Sequence, residues 1–256
     1  MAPLTPYFRY TRGEAAPSLL LLASSSSKTL TTDPYGRVGR LLHSQGWNVV
    51  SMDLPCHGAD NRAGEATGLE GWAARIAAGE DIVSAFRANV NDVVEHLVAT
   101  ETSNPECLAV AGTSRGGYMA LHATAGNPFI RAAMAFAPVT DLMALSEFAG
   151  LQQDSLAQQL SLVNAVEQLA DRAVWITIGK ADTRVDTEKV VAFVRALEGV
   201  ANNSGVQGNI ALQVVPTEGH VSLAEWHDQA VAWLNNALNL RLPFGRIKSV
   251  ARPSRP

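Results

Sequence analysis

An α/β fold, in which a mostly parallel sheet carries helices on both faces, is what this chain of 256 residues predicts, and three observations lead there. Apolar runs of strand length lie at 18–23, 47–54, 107–113, 132–137, 174–179 and 210–215. Stretches of helical period separate them at 34–45, 81–99, 115–126, 153–170, 186–199 and 222–239. Strand-helix alternation is the pattern of parallel strands joined by crossover helices, which open their ligand sites at the carboxyl ends of the strands.

The elements follow in order. YFRY at 7–10 fits an antiparallel edge strand, and SLLLL at 18–22 the first central one, followed by the polar run Ser24–Ser27. Residues 81–99 give the clearest helix, with Ile82, Phe86, Val90, Val93 and Leu97 spaced by three and four behind the acidic start Glu80-Asp81. Two connections, 58–80 and 139–172, exceed ordinary loop length and are candidates for small cap elements, the first carrying a lone Trp72. No internal repeat is present.

Composition narrows the function classes. A chain that is 47% hydrophobic and 17% charged can bury one sizeable core, which sets residues 1–240 as a single domain. The segment 241–256 holds five basic residues and no acid and reads as a solvated basic tail. With a formal charge of −4 and no basic stripe outside that tail, nucleic acid is not an expected partner. No apolar window is long enough to span a bilayer and no signal peptide is evident, so the expectation is a cytoplasmic protein that does not engage membranes. Cys56 follows one predicted strand and Cys107 opens the next, at opposite ends of strands about 17–20 Å long, beyond the roughly 7 Å reach between bridged Cα atoms. No Cys/His clustering suggests zinc, and neither metal nor organic cofactor is implied.

The most informative segment is LAVAGTSRGGYMAL at 108–121, where Gly112-x-Ser114-x-Gly116 joins an apolar run to a helical one. This spacing fits a nucleophile elbow: strand and helix meet so closely that only glycine is tolerated beside the serine, whose hydroxyl projects clear of the sheet. A serine hydroxyl needs a base, usually histidine, held by a carboxylate. In enzymes built on this turn the acid and then the histidine follow the serine in chain order. Here VWITIGKAD ends at Asp182 and IALQVVPTEGH ends at His220. Asp186, at the start of the next helix, and Asp141, after the preceding strand, are the rival acids.

GTSRGGYMA at 112–120, APVTDL at 137–142, GKADTRV at 179–185, Glu218-Gly219-His220 and the softer DLPCHGAD at 53–60 together resemble an α/β-hydrolase, in the dienelactone hydrolase and prolyl-oligopeptidase-like esterase branch. The resemblance spans residues 18–240. It implies the α/β-hydrolase fold and a triad of Ser114, Asp182 and His220. Relatives usually carry a His-Gly pair after the first central strand to help hold the oxyanion, whereas Ala23 and Ser24 occupy that place here. A backbone N–H does not depend on the side chain, so the expected donors are those of Arg115 and Ser24, or Ser25. The side chain of Arg115 has two readings, an ion pair with a nearby acid or recognition of a substrate carboxylate. Trp72 and Arg115 are the candidate substrate-binding side chains.

The expectation is a carboxylesterase-like serine hydrolase acting on a small-molecule ester, its oligomeric state open. A peptidase of prolyl-oligopeptidase type and a non-catalytic binding protein on a hydrolase scaffold are the alternatives. These 256 residues contain no large gating domain, which favours small esters over peptides, while the missing His-Gly pair motivates the binding protein.

Overall fold

The computed structural model describes residues 5–8, 15–205 and 209–238. Its elements run β1 (Thr5–Phe8), β2 (Ala16–Leu22), α1 (Ser26–Thr31), α2 (Arg37–Ser44), β3 (Asn48–Ser51), α3 (Gly68–Ala77), α4 (Ile82–Ala99), β4 (Ser103–Thr113), α5 (Arg115–Gly126) and β5 (Ile130–Phe136), followed by α6 (Ser155–Gln159), α7 (Val166–Leu169), β6 (Ala173–Ala181), α8 (Thr187–Asn203), β7 (Ile210–Glu218) and α9 (Ala224–Ala237). Seven strands form one sheet in the order β1-β3-β2-β4-β5-β6-β7. All neighbours are parallel except β1, which runs antiparallel to β3. The edge strand expected at 7–10 thus lies at 5–8, and residues 9 and 10 fall outside the described residues, as does the basic tail 241–256.

A parallel sheet buries both faces, so its strands are apolar on consecutive residues rather than alternate ones. Leu20 and Leu22 of β2, Leu108 and Val110 of β4, and Ala133 and Ala135 of β5 join α3, α4, α5 and α8 in one core. Their neighbours Leu19 and Leu21, Ala109 and Ala111, and Met134 and Phe136 face the other, closed by Val38 and Leu42 of α2 and by Trp226, Ala230 and Leu234 of α9. Asp81 caps α4, its carboxylate accepting from the N–H groups of Val83 and Ser84.

Two expectations are corrected. The single helix expected over 153–170 is broken: α6 ends at Gln159 and α7 begins at Val166, with a 3₁₀ turn between. At the break the Leu160 carbonyl accepts the Tyr118 hydroxyl at 2.6 Å and faces His122 Nε2 at 3.2 Å, so α5 draws it out of a helical ladder. The polar run Ser24–Ser27, expected to be a loop, is one only as far as Ser25: Ser26 and Ser27 start α1, because Asp53 Oδ1 accepts both the N–H and the hydroxyl of Ser26, at 2.7 and 2.8 Å. Of the two long connections, 58–80 forms a 3₁₀ turn and α3, while 139–172 forms short turns, α6 and α7, and α3 meets the turn at Ser146–Phe148.

Candidate active site

Ser114 stands between β4 and α5 with φ +56° and ψ −119°, a region that a non-glycine residue occupies only at a cost of about 1–3 kcal/mol. The surroundings hold it there. Its N–H donates to the Phe136 carbonyl at 2.9 Å, and its own carbonyl accepts from Tyr118 and Val139 at 3.1 and 3.2 Å. A Cβ on Gly112 would run into the Gly116 carbonyl, and one on Gly116 into the Leu22 carbonyl and the Ala23 backbone. Both glycines are therefore required by the approach of α5 to the sheet, as the spacing predicted.

The three residues singled out at strand ends are brought together. His220 Nε2 lies 2.9 Å from Ser114 Oγ, and Nδ1 lies 2.8 Å from Asp182 Oδ2. Since a carboxylate can only accept, Nδ1 carries the proton and Nε2 presents its lone pair to the serine hydroxyl. The Asp182 side chain is wholly buried, and its Oδ1 accepts from the N–H groups of Arg184 and Val185 at 3.0 and 3.2 Å. The rival acids are engaged elsewhere. Asp186 caps α8 by accepting from the N–H groups of Glu188 and Lys189. Asp141 caps the turn at Leu142–Ala144 and pairs with Lys189 at 3.1 Å.

The remaining candidates divide. The Arg115 N–H belongs to the first turn of α5, where a helix has no acceptor of its own, and it directly follows the serine. Ser24 does not fit the donor role expected of it: its N–H donates to Thr29 Oγ1 at 3.1 Å, because the turn into α1 brings that hydroxyl underneath. Ser25 is left as the candidate in that turn. Trp72 is corrected as a substrate-binding residue. It is fully buried, its indole N–H donates to the Pro55 carbonyl at 2.6 Å, and its ring lies 5.9 Å from that of Tyr118, so it packs beneath the site instead of lining it. The Arg115 guanidinium donates from Nε to the Ala23 carbonyl at 3.3 Å, and among the described residues no carboxylate forms an ion pair with it.

A cavity of about 300 Å³ opens over Ser114 and His220, walled by Tyr35, Leu69, Arg115, Arg184 and Val221. Arg115 and Leu69 also wall a larger lobe of about 680 Å³, which takes residues from both long connections. Arg184 reaches across to Glu147 in a paired ion bridge, one arm of which measures 2.9 Å, tying the loop after β6 to the 139–172 connection. Among the described residues no cluster of His, Cys, Asp and Glu is arranged to hold a metal ion. Burial pushes the Cys56 thiol up to about 12, far from thiolate chemistry at neutral pH, and both cysteines are free. No described helix is long and apolar enough to cross a membrane.

Sequence reasoning gave His57 only as part of a soft match and missed Thr29, Tyr35 and Arg184. The Asp53–Gly58 turn was the available signal. Asp53 joins α1 to that turn, its Oδ2 accepting from the Ala59 N–H at 2.7 Å. Arg75, nearly buried, binds Asp60 and Glu65 and fixes the loop on the other side.

A parallel sheet with a strained serine at a strand-to-helix turn, and a carboxylate and a histidine after later strands, defines the class: this is an α/β-hydrolase. The prolyl oligopeptidase family matches residues 87–241, more than half of the sequence, and the chain belongs to that family of serine hydrolases. The fold is shared with TT1662 from Thermus thermophilus, at 18% identity and TM-score 0.67 over 92% of this chain and 99% of that one. It is shared too with acetyl xylan esterase 1 from Thermoanaerobacterium sp. JW/SL YS485, at 15% identity and TM-score 0.63 over 90% and 78%. Pyrococcus horikoshii acylaminoacyl peptidase gives 14% identity and TM-score 0.67 over 96% of this chain but 41% of that one. A comparison with curated protein sequences finds no match.

Proposed function

We propose that this protein cleaves carboxylic ester bonds of small substrates through an acyl-enzyme intermediate, with Ser114 as nucleophile, His220 as base and Asp182 as its orienting acid. The observation that carries the reading is the unbroken hydrogen-bonded line from Asp182 through His220 to Ser114. Ser114 Oγ attacks the acyl carbon as its proton passes to His220 Nε2, and the imidazolium that forms is stabilised by the buried Asp182 carboxylate. The carbonyl oxygen, now an oxyanion, is held by the N–H of Arg115 with that of Ser25. Collapse breaks the ester C–O bond and expels the alcohol, which takes the proton from Nε2. Water then repeats the sequence on the acyl-enzyme and frees the acid.

Ester substrates are supported by the cavity of about 300 Å³ over Ser114 and His220, which has room for a small acyl group, and by the likeness to acetyl xylan esterase 1. Family membership favours serine peptidase activity as a second reading. An acyl 4-nitroanilide and the matching 4-nitrophenyl ester separate the two, the ester reading requiring the larger kcat/KM on the ester after correction for intrinsic reactivity. The catalytic assignment is tested by a fluorophosphonate probe, expected to label wild type at Ser114 and spare Ser114→Ala. Equal labelling of both proteins overturns it.

A further inference from the structure

The larger lobe beside Ser114 contains a set of polar groups that the proposed hydrolysis does not use. Among the residues lining it are Ser24, Lys28, His57, Asn61, Gly68 and Arg115. Only Nε of the Arg115 guanidinium is engaged, by Ala23, which leaves both terminal nitrogens without a carboxylate partner among the described residues. Burial and nearby Arg184 depress its pKa, yet a guanidinium stays charged in proteins, so a half-buried cation faces a cavity.

His57 stands beside it. A Cβ placed on Gly68 would lie 3.4 Å from Arg115 Nη1 and 3.7 Å from His57 Nε2, so both groups converge on the space that glycine leaves open. His57 Nδ1 lies 2.8 Å from the Pro55 carbonyl, which can only accept, so the proton sits on Nδ1 and Nε2 is an acceptor. Burial first, and the Arg115 charge after it, lower the His57 pKa and favour this neutral ring. Arg115 and His57 thus present polar groups to the cavity that no described protein group satisfies, a lining suited to a polar ligand. Of the carboxylates on the wall, Glu147 is bound to Arg184 and acts on Arg115 without forming an ion pair with it, and Glu70 is exposed.

We propose that this lobe is a subsite for a hydroxylated carboxylate, the part of the substrate remote from the scissile bond, held by the Arg115 guanidinium through its carboxylate and by His57 Nε2 through a donating hydroxyl. The two free Nη groups match the two oxygens of one carboxylate in a bidentate pair. As a substrate subsite the inference rests on the hydrolase reading, but the lobe's affinity is measurable without turnover.

Calorimetric titration of the full chain compares D-glucuronate with glutarate, which lacks hydroxyls, D-glucose, which lacks the carboxylate, and glucose 6-phosphate. Glucuronate is expected to bind at least tenfold more tightly than each. Arg115→Gln is expected to lose that advantage, and Arg115→Lys, which keeps the charge and guards against a folding defect, to retain part of it. His57→Phe is expected to bring glucuronate down to the affinity of glutarate. Bound glucuronate is also expected to slow fluorophosphonate labelling of Ser114. The proposal is overturned if glucuronate binds no better than glucose, if glucose 6-phosphate binds more tightly, if Arg115→Gln binds glucuronate within twofold of wild type, or if saturation leaves labelling unchanged. Absence of any labelling overturns the hydrolase reading instead, and the titrations still decide the subsite.

Discussion

Replacing Asp182 by asparagine tests the proposed relay at its most constrained point. Asp182 Oδ1 accepts two backbone N–H groups, at 3.0 and 3.2 Å, and Oδ2 faces His220 Nδ1 at 2.8 Å. The amide can turn two ways. With its NH₂ toward the backbone, two buried donors lose their acceptor at about 1–3 kcal/mol each, so the oxygen stays there and the NH₂ turns to His220. Nδ1 must then accept, which places the imidazole proton on Nε2, toward Ser114, where the base needs a lone pair. The fold survives while the base is disabled, and kcat on a 4-nitrophenyl ester is expected to fall by about 10³–10⁴, some 4–5 kcal/mol of barrier. Melting temperature should move by only a few degrees. Asp186→Asn, which touches a helix cap alone, is the control, expected to cost up to about 1 kcal/mol of stability and no more than twofold in kcat. A folded Asp182→Asn protein that keeps over a tenth of wild-type kcat would refute the reasoning.

Gly116→Ala drives a methyl group into the Leu22 carbonyl and the Ala23 backbone, and is expected to cost about 1–3 kcal/mol or more, read as a lower midpoint in urea; an unchanged midpoint would show that the elbow has slack. Trp72→Ala should destabilise by about 3–5 kcal/mol while leaving the relative kcat/KM on short and long acyl esters the same, because the ring lies in the core; altered chain-length preference without loss of stability would count against that placement. Burial holds His122 and His227 at about 4 against an ordinary 6.5. Above pH 6.5 their contribution is fully present. As pH falls from 6.5 toward 4 the unfolded chain takes up protons that the folded one resists, so stability declines, by roughly 3 kcal/mol per ring at the lower end. His227→Gln should make this acid limb shallower between pH 6.5 and 4, and a limb of unaltered steepness would exclude that ring as a source.

Strand ends were the legible part of this sequence. Parallel strands buried on both faces read as short apolar runs, so the positions just after them, 114, 182 and 220, could be found by counting along the chain. The Gly112 and Gly116 spacing is equally local. What remained hidden depended on contacts between distant segments. Thr29 occupies the Ser24 N–H only because Asp53, 27 residues beyond Ser26, starts a helix in a serine run that has no periodicity of its own. A lone tryptophan among glycines and alanines carries no period either, so Trp72 could be assigned to core or cap only with the fold in hand. The break at Leu160 is set by Tyr118 and His122, side chains of another helix. The ion-pair reading of Arg115 needed a carboxylate partner, and the folded chain brings none to it among the described residues.

His220 follows β7, an edge strand of the sheet whose side chains are half-buried or exposed along its whole length, whereas Ser114 follows β4 at the centre of the sheet. The two halves of one proton transfer therefore belong to regions of unequal local stability. Under gentle heating or mild denaturant the margin should loosen while the interior stays intact, switching turnover off before any spectroscopic sign of melting. Amide exchange along residues 210–218 would track that early inactivation, and the protein's useful temperature range would be set by its periphery.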